Sequence, residues 1–365
     1  MRSSRDVLPK YCSSLEEAAG AFGGGRNCRF TALGEGNIND TFLVAGGDVR
    51  FVLQRINAAV FADPVKVAMN SARVAAHIAA KAEGKAMLVA EVFTSEKDRC
   101  WYRDESGEVW RAQRYIANSR VVQRVKDSNQ AREIGGCLAA FHEAVDDLKP
   151  SSLHVVLPGF HDLPAYLQAY DRVAGTAPVA ASSAAESLEF CRESIARWRQ
   201  QACFFVAAQR RRDVLQHTVH GDPKVSNILF DADSGAAAAM IDLDTVGAGL
   251  VLQDIGDCLR SCCSSVREDD LGRRVACDPA MVAAVMEGYL DRRPLSPFER
   301  RSLHSALLLI TFELGVRFLT DYLQGNRYFK VTKADDNLRK AVVQFRLATS
   351  IEEQKQAIEE SVATR

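Results

Sequence analysis

The stretch that most narrows what this chain can fold into is His220-Gly221-Asp222-Pro223-Lys224-Val225-Ser226-Asn227-Ile228-Leu229-Phe230, followed by Ile241-Asp242-Leu243-Asp244. An apolar strand at Ile228 to Phe230, a turn at Asp231 to Gly235 and a second apolar strand running up to Asp242 predict a β-hairpin. That hairpin brings Asn227 and Asp242 together. Without the hairpin, the same residues would read as two turns with Asp and Asn as N-caps.

Composition places the rest. With 365 residues the chain is long enough for two domains or one large two-lobed one. A 47% hydrophobic and 25% charged composition excludes a disordered or fibrous chain. Lys plus Arg (46) nearly cancel Asp plus Glu (47), so no global field draws nucleic acid or an anionic membrane, and an anionic ligand must be held locally. The most apolar run, Leu303 to Leu319, is interrupted by His304, Glu313 and Arg317, and Met1 to Gly20 lacks the apolar centre of a signal peptide. The ten cysteines show no CxxC spacing and read as reduced thiols. These features predict a cytoplasmic protein with no membrane segment and no nucleic-acid partner.

Up to residue 115 the pattern is strands with a single helix: Phe30 to Leu33, Thr41 to Val44, Phe51 to Arg55, Ala86 to Phe93 and Val109 to Ala112 as strands, with Pro64 opening a helix after Asp63. From Asp127 onward the chain is mostly helical. Residues 173 to 185 read as a loop, Glu186 to Gln209 as one charged helix ending in Arg210-Arg211-Arg212, and Ser296-Pro297-Phe298-Glu299 as a capping box opening a helix that runs to Gln324 and closes at Gly325.

The loop and hairpin match the needs of phosphoryl transfer, in which a protein mainly positions groups and neutralises charge. Asp222 would orient the attacking hydroxyl and accept its proton late. Asn227 and Asp242 offer the hard oxygen ligands that Mg²⁺ prefers, and Lys224 can reach the γ-phosphate of ATP. His142 and His220 read as structural, packing a helix and the loop.

With these residues the chain resembles the aminoglycoside phosphotransferase and choline kinase family, which shares its fold with protein kinases, and the resemblance covers nearly the whole chain. It implies an α+β, bilobal protein-kinase-like fold: residues 1–116 a small antiparallel-sheet N-lobe that binds nucleotide, residues 117–365 a larger, mostly helical C-lobe with the catalytic hairpin. Within the family, Gly34 to Thr41, Phe51 to Asn57, Ile241 to Thr245 and Arg317 to Tyr322 are most similar to the N-acetylhexosamine 1-kinases, which phosphorylate the anomeric hydroxyl of GlcNAc or GalNAc with ATP and Mg²⁺. The resemblance implies Asp222 as base, Asn227 and Asp242 as metal ligands, and Arg317 and Tyr328 as sugar contacts. It also implies Asp254, in Leu252-Gln253-Asp254-Ile255-Gly256-Asp257, as the brace of the catalytic loop.

On the nucleotide side, Gly34-Glu35-Gly36-Asn37-Ile38-Asn39-Asp40 has Asn39 in place of the third glycine of GxGxxG. Glycines between two strands let backbone N–H groups approach phosphates, which makes Gly34, Gly36, Asn37, Asn39 and Thr41 candidate contacts. Gln113-Arg114-Tyr115-Ile116 sits where an adenine-binding hinge belongs, with Gln113 and Tyr115 as candidates. Gln54 occupies the strand-three position where protein kinases have lysine, and the helix Pro64 to Ala80 has no Glu to partner such a lysine. Joint loss of both charges predicts a neutral amide pair, with Asn70 facing the strand: Gln54 is a candidate contact that orients the α- and β-phosphates without charge, Mg²⁺ and Lys224 neutralise them, and Arg55, one residue out of phase, points away.

Glu313, Arg317 and Asp321 share one stripe of a helix and read either as an ion network or, with Tyr328, as acceptor contacts. Choline, ethanolamine, homoserine, aminoglycosides and other sugars remain alternative acceptors. A choline-type acceptor would need an aromatic or acidic cage that the sequence does not assemble. The alternative of a different class is an ATP-binding scaffold without turnover, which the missing strand-three lysine motivates.

Overall fold

The computed structural model describes residues 4–363 except 26, 34–37, 48, 82–87, 176–181, 269 and 272. Gly34, Gly36 and Asn37 therefore lie outside the described residues. Alternation of buried and part-exposed side chains gives the first lobe its sheet: Phe42, Val44, Phe51 and Leu53 point one way, and Val52, Gln54 and Ile56 the other. Helix α1 (Ser4–Ala21) precedes strands β1 (Arg29–Ala32), β2 (Asp40–Gly46) and β3 (Val49–Ile56); helix α2 (Pro64–Lys81) and strands β4 (Tyr102–Arg103) and β5 (Val109–Arg114) follow. All pairings are antiparallel, in the order β1-β2-β3-β5-β4.

Leu15, Ala18 and Ala19 of α1 pack on Phe42, Phe51 and Trp110 on one face of this sheet. Helix α2 covers the other. The lobe thus has two helices where the sequence pattern gave one; two alanines in the buried stripe of α1 give its periodicity little contrast. The described part of Ala86 to Phe93 is not a strand either. Val89 bridges to Met240 of the second lobe and Val92 to Gln113 of the first, so the segment divides its pairing between two sheets.

The second lobe begins with β6 (Ser119–Val121) and α3 (Ser128–Val145), whose N-cap Asp127 accepts the Gln130 N–H. Helices α4 (Leu163–Ala174), α5 (Ser182–Trp198) and α6 (Phe204–Arg211) follow, then β7 (His217–Val219), β8 (Ile228–Asp231), β9 (Ala237–Met240) and β10 (Gly247–Gly249). The expected hairpin is β8–β9, extended by β6, and β7 pairs with β10. The chain finishes with α7 (Val251–Cys263), α8 (Pro279–Leu290), α9 (Pro297–Arg301), α10 (Leu303–Leu323), α11 (Asp336–Glu353) and α12 (Lys355–Ala363). Helices α3 and α8 approach so closely that a Cβ on Gly135 would lie 1.8 Å from the Val285 carbonyl oxygen.

Two expected helices are each broken. A 3₁₀ turn at Arg199–Gln201 separates α5 from α6, and Ser302, whose N–H is shared between the Phe298 and Glu299 carbonyls, separates α9 from α10. The capping box of Ser296 and Glu299 forms as expected. Helix α10 is long and apolar enough to cross a bilayer by length and composition, contrary to the reading of that run, and 78% of its apolar stretch is buried inside the fold. The two-lobed α+β architecture expected from the sequence is the one the chain adopts.

Candidate active site

The chain leaves β7 and turns at Gly221, where φ is +87° and a Cβ would meet the Thr245 carbonyl oxygen at 2.7 Å. Only glycine fits that turn. Asp254, fully buried in the first turn of α7, holds it: Oδ1 accepts the Gly221 N–H at 2.9 Å, and Oδ2 accepts the His220 N–H at 2.7 Å and His142 Nε2 at 3.1 Å. Burial opposes its charge, yet the hydrogen bond and charge of His142, with His220 and the Gly221 N–H behind, hold the carboxyl below its usual range. His220 Nε2 donates to the Ile241 carbonyl at 3.0 Å and Nδ1 accepts the Asp222 N–H at 3.3 Å, so the ring is neutral; burial lowers its pKa accordingly.

Lys224 Nζ donates to Asp222 Oδ2 at 2.6 Å, and Asn227 Nδ2 donates to the Asp222 carbonyl at 2.8 Å and to Oδ2 at 3.1 Å. This leaves the Asn227 amide oxygen as its ligating atom. Burial would raise the Asp222 pKa, but the charge and hydrogen bond of Lys224, with the charge of Arg260 behind, bring it below the ordinary value. Asp242 follows β9 with a left-handed φ of +68°. Burial and the charges of Asp244 and Asp222 push its carboxyl up to about 7, against Lys224 and Arg111. Crowded carboxylates beside an amide oxygen are a setting that a divalent cation relieves, so Asn227 and Asp242 fit Mg²⁺ and would hold it. Among the described residues no three His, Cys, Asp or Glu side chains are grouped to hold a metal alone.

The nucleotide face departs from expectation at Gln54. Its Nε2 donates to Thr41 Oγ1 at 3.0 Å, and its Oε1 accepts from Arg111 Nε at 3.0 Å and Nη2 at 2.8 Å. Arg111 lies directly opposite Gln54 in the β3–β5 register; it also donates to Ser71 Oγ at 2.8 Å and pairs with Asp244. Asn70 does not meet Gln54; its amide is used by the His154 N–H at 2.9 Å and carbonyl at 2.9 Å, and by the Val246 carbonyl at 3.3 Å. The neutral amide pair is therefore absent, and the charge missing from strand three is present one strand over. Both ends of the Asn39 amide are engaged, Nδ2 with Asp244 and Oδ1 with the Asn57 N–H at 3.0 Å. Arg55 pairs with Asp40 and with Glu108 at 2.9 Å. Gln113 pairs with Val52 two residues along the face that carries Gln54, and the Tyr115 ring lies under the Arg50 guanidinium at 4.1 Å.

Facing Asp222 and Lys224, one pocket gathers His161, Glu313, Arg317 and Tyr328. The helix stripe does not pair with itself as an ion network would. Glu313 accepts from His161 Nδ1 at 2.8 Å, and Asp321 accepts the N–H groups of Arg327 and Tyr328 at 2.8 Å and of Phe329 at 3.0 Å. The Arg317 guanidinium sits among four rings, 5.2 Å from Tyr166, 5.3 Å from Phe160, 5.6 Å from Phe329 and 5.7 Å from Tyr328. His161 Nε2 lies 3.0 Å from the Gly221 carbonyl. Its two partners, a carboxylate and a carbonyl, only accept, so both ring nitrogens donate and the ring is an imidazolium. Burial opposes that charge, but Glu313 and the Gly221 carbonyl raise its pKa above the ordinary 6.5.

A family model described as "Phosphotransferase enzyme family" matches residues 29–298, well over half of the chain. The chain belongs to the phosphotransferase enzyme family. Membership makes it an ATP-dependent phosphotransferase. Solved structures show the same fold at low identity. An aminoglycoside phosphotransferase from Alicyclobacillus acidocaldarius has a TM-score of 0.64 at 14% identity, covering 94% of this chain and 96% of its own. A microcompartment-associated aminopropanol kinase has 0.61 at 14%, with 95% and 98% covered. A Plasmodium vivax ethanolamine kinase has 0.60 at 11%, with 95% and 89% covered.

In this phosphotransferase the structure brings Asp222, Lys224, Asn227 and Asp242 into one cluster and sets Arg317 and Tyr328 in the same pocket as Asp222. Sequence reasoning missed Arg111 and His161. A cross-strand match of Arg111 with Gln54 is the signal for the first, visible once the β3–β5 register is known. His161 carries no motif; it occupies a left-handed backbone position, φ +57°, just before α4.

Proposed function

We propose that this kinase transfers the γ-phosphate of ATP to the C1 hydroxyl of an N-acetylhexosamine, GlcNAc or GalNAc, giving the 1-phosphate. The observation that carries the acceptor is the ring-enclosed Arg317 guanidinium. A choline-type cation would need that aromatic box, and the protein's own cation fills it. That box therefore has no room for a second cation, and the Arg317 guanidinium offers N–H donors to the carbonyl and hydroxyls of a neutral acetamido sugar.

In this reading Asp222 accepts a hydrogen bond from the sugar hydroxyl and holds its oxygen in line with the γ-phosphorus. As the new O–P bond forms, the bond from phosphorus to the bridging oxygen of ADP breaks, and the hydroxyl proton passes late to Asp222. A carboxyl with a lowered pKa suits that orienting role. Lys224 meets the charge on the transferred group. Asn227 and Asp242 would hold Mg²⁺, which when bound neutralises the β- and γ-phosphate oxygens. Gly34, Gly36, Asn37 and Thr41 would contact the phosphates and Gln113 and Tyr115 the adenine, while Asn39 is engaged with Asp244 and the Asn57 N–H. The lobes divide at Ile116, and the free thiols fit a cytoplasmic setting, where ATP is supplied.

The test is ADP release with ATP and Mg²⁺ across GlcNAc, GalNAc, glucose, galactose, choline and kanamycin, with Asp222→Asn as control. Turnover confined to the acetamido sugars supports the reading. Turnover on choline or kanamycin overturns the acceptor, and ATP binding without turnover on any of them favours the scaffold. The full set Asp222, Lys224, Asn227 and Asp242 favours the enzyme, since a scaffold has no chemical need of it.

A further inference from the structure

We infer that Arg111 replaces the absent strand-three lysine, as a positioning residue that sets the Gln54 amide toward the nucleotide phosphates and fixes the loop carrying Asp242; this rests on the phosphoryl-transfer reading of the site. Arg111 is fully buried, so it acts through its partners. Arginine only donates hydrogen bonds, and its two bonds to one atom of Gln54, at 3.0 Å and 2.8 Å, decide which end of that amide is oxygen. The Gln54 Nε2 is thereby turned to Thr41 Oγ1 at 3.0 Å, and on the phosphoryl-transfer reading N–H protons, not a carbonyl oxygen, are what that amide offers the phosphates. Without Arg111 the amide is free to flip and set an oxygen against an anion.

The same guanidinium reaches into the second lobe. It pairs with Asp244, two residues beyond Asp242, whose other oxygen takes the Asn39 amide. Ser71 of α2, which accepts an Arg111 N–H at 2.8 Å, has the Leu243 carbonyl within 3.3 Å. One buried cation thus ties strand three, helix α2 and the turn at Leu243 and Asp244 into a single arrangement. In protein kinases a strand-three lysine and a helix glutamate share this work. Here the cation comes from β5 and its carboxylate from the loop that holds Asp242. A buried ion pair is weak evidence of stabilisation in itself, and convergence of partners from both lobes on this one points to geometry as its role.

The experiment measures Mg·ATP affinity by titration calorimetry, kcat and KM for ATP, and the melting temperature without nucleotide. The proteins are the wild type, Arg111→Met, Arg111→Lys and the double variant Gln54→Lys with Arg111→Gln, which returns the cation to strand three. Loss of charge-assisted hydrogen bonds sets the expected scale: Arg111→Met weakens Mg·ATP binding and raises KM for ATP about tenfold to a hundredfold. Arg111→Lys falls between it and the wild type, and the double variant recovers at least half of the lost affinity on a logarithmic scale. Wild-type Mg·ATP affinity in a folded Arg111→Met, or a folded double variant that binds no better than Arg111→Met, overturns the inference. Failure of all three variants to fold also overturns it, because Arg111 is then a packing residue. A wild type that binds no Mg·ATP overturns the kinase reading, and this inference with it.

Discussion

In the proposed reaction Asp222 stays ionised in a half-buried cleft while remaining able to take a proton, and Lys224 at 2.6 Å settles that conflict in favour of the charge. Replacing Asp222 by Asn keeps the shape and removes the carboxylate proposed to take the hydroxyl proton. The expected outcome is a fall in kcat of about 10² to 10⁴ with Mg·ATP affinity kept within a few-fold, read by ADP release and calorimetry. His161 makes a prediction of a different kind. Its folded pKa is raised above the ordinary 6.5, so the stability it contributes is full below that value and is lost as pH rises through the higher folded pKa. Compared with His161→Asn, which tolerates the left-handed backbone, the wild type gains most in denaturant midpoint at pH 6 and progressively less toward pH 9. A difference that stays flat across that range would rule out the imidazolium.

Among the elements, α7 earns its place by one side chain. Asp254 in its first turn fixes two consecutive N–H groups of the loop leaving β7, and Asp254→Ala leaves both without their acceptor inside the fold. Each orphaned group costs about 1 to 3 kcal/mol, so the expected result is a clear drop in denaturant midpoint together with a lower kcat. Gly221→Ala tests the same loop from the other side. A Cβ 2.7 Å from the Thr245 carbonyl at φ +87° must displace backbone, and the variant is expected to lose about 1 to 3 kcal/mol or more by the same denaturation assay. An alanine variant as stable as the wild type would mean that the turn relaxes freely.

Across the whole molecule, the two lobes are joined where nucleotide is expected to bind: Arg111 and Asn39 meet Asp244, and Lys330 reaches Asp40 at 3.3 Å. A ligand held by both sides stabilises the folded chain by mass action, about 2.7 kcal/mol at a hundred times its dissociation constant. Mg²⁺ with ATP is therefore expected to raise the melting temperature by several degrees, and EDTA to remove most of that shift and all turnover until Mg²⁺ is restored. An equal shift with and without EDTA would count against Asn227 and Asp242 as metal ligands.

The sequence by itself determined the candidate catalytic loop, the hairpin that carries Asn227 and Asp242, the capping box at Ser296 and the helices begun at Pro64 and after Asp127. In each of these the signal is local: turn chemistry, a cap or a repeat within one contiguous segment. Sequence periodicity ran on through Ser302 and through Arg199–Gln201, where the chain breaks its helices, because apolar spacing records burial and not the continuity of the backbone hydrogen bonds. Tertiary structure alone decided that Glu313 turns to His161 and not to Arg317, that four rings enclose Arg317, and that Arg111 meets Gln54. Those contacts join residues far apart in the chain, and their geometry comes from strand register and helix packing, which no single segment encodes.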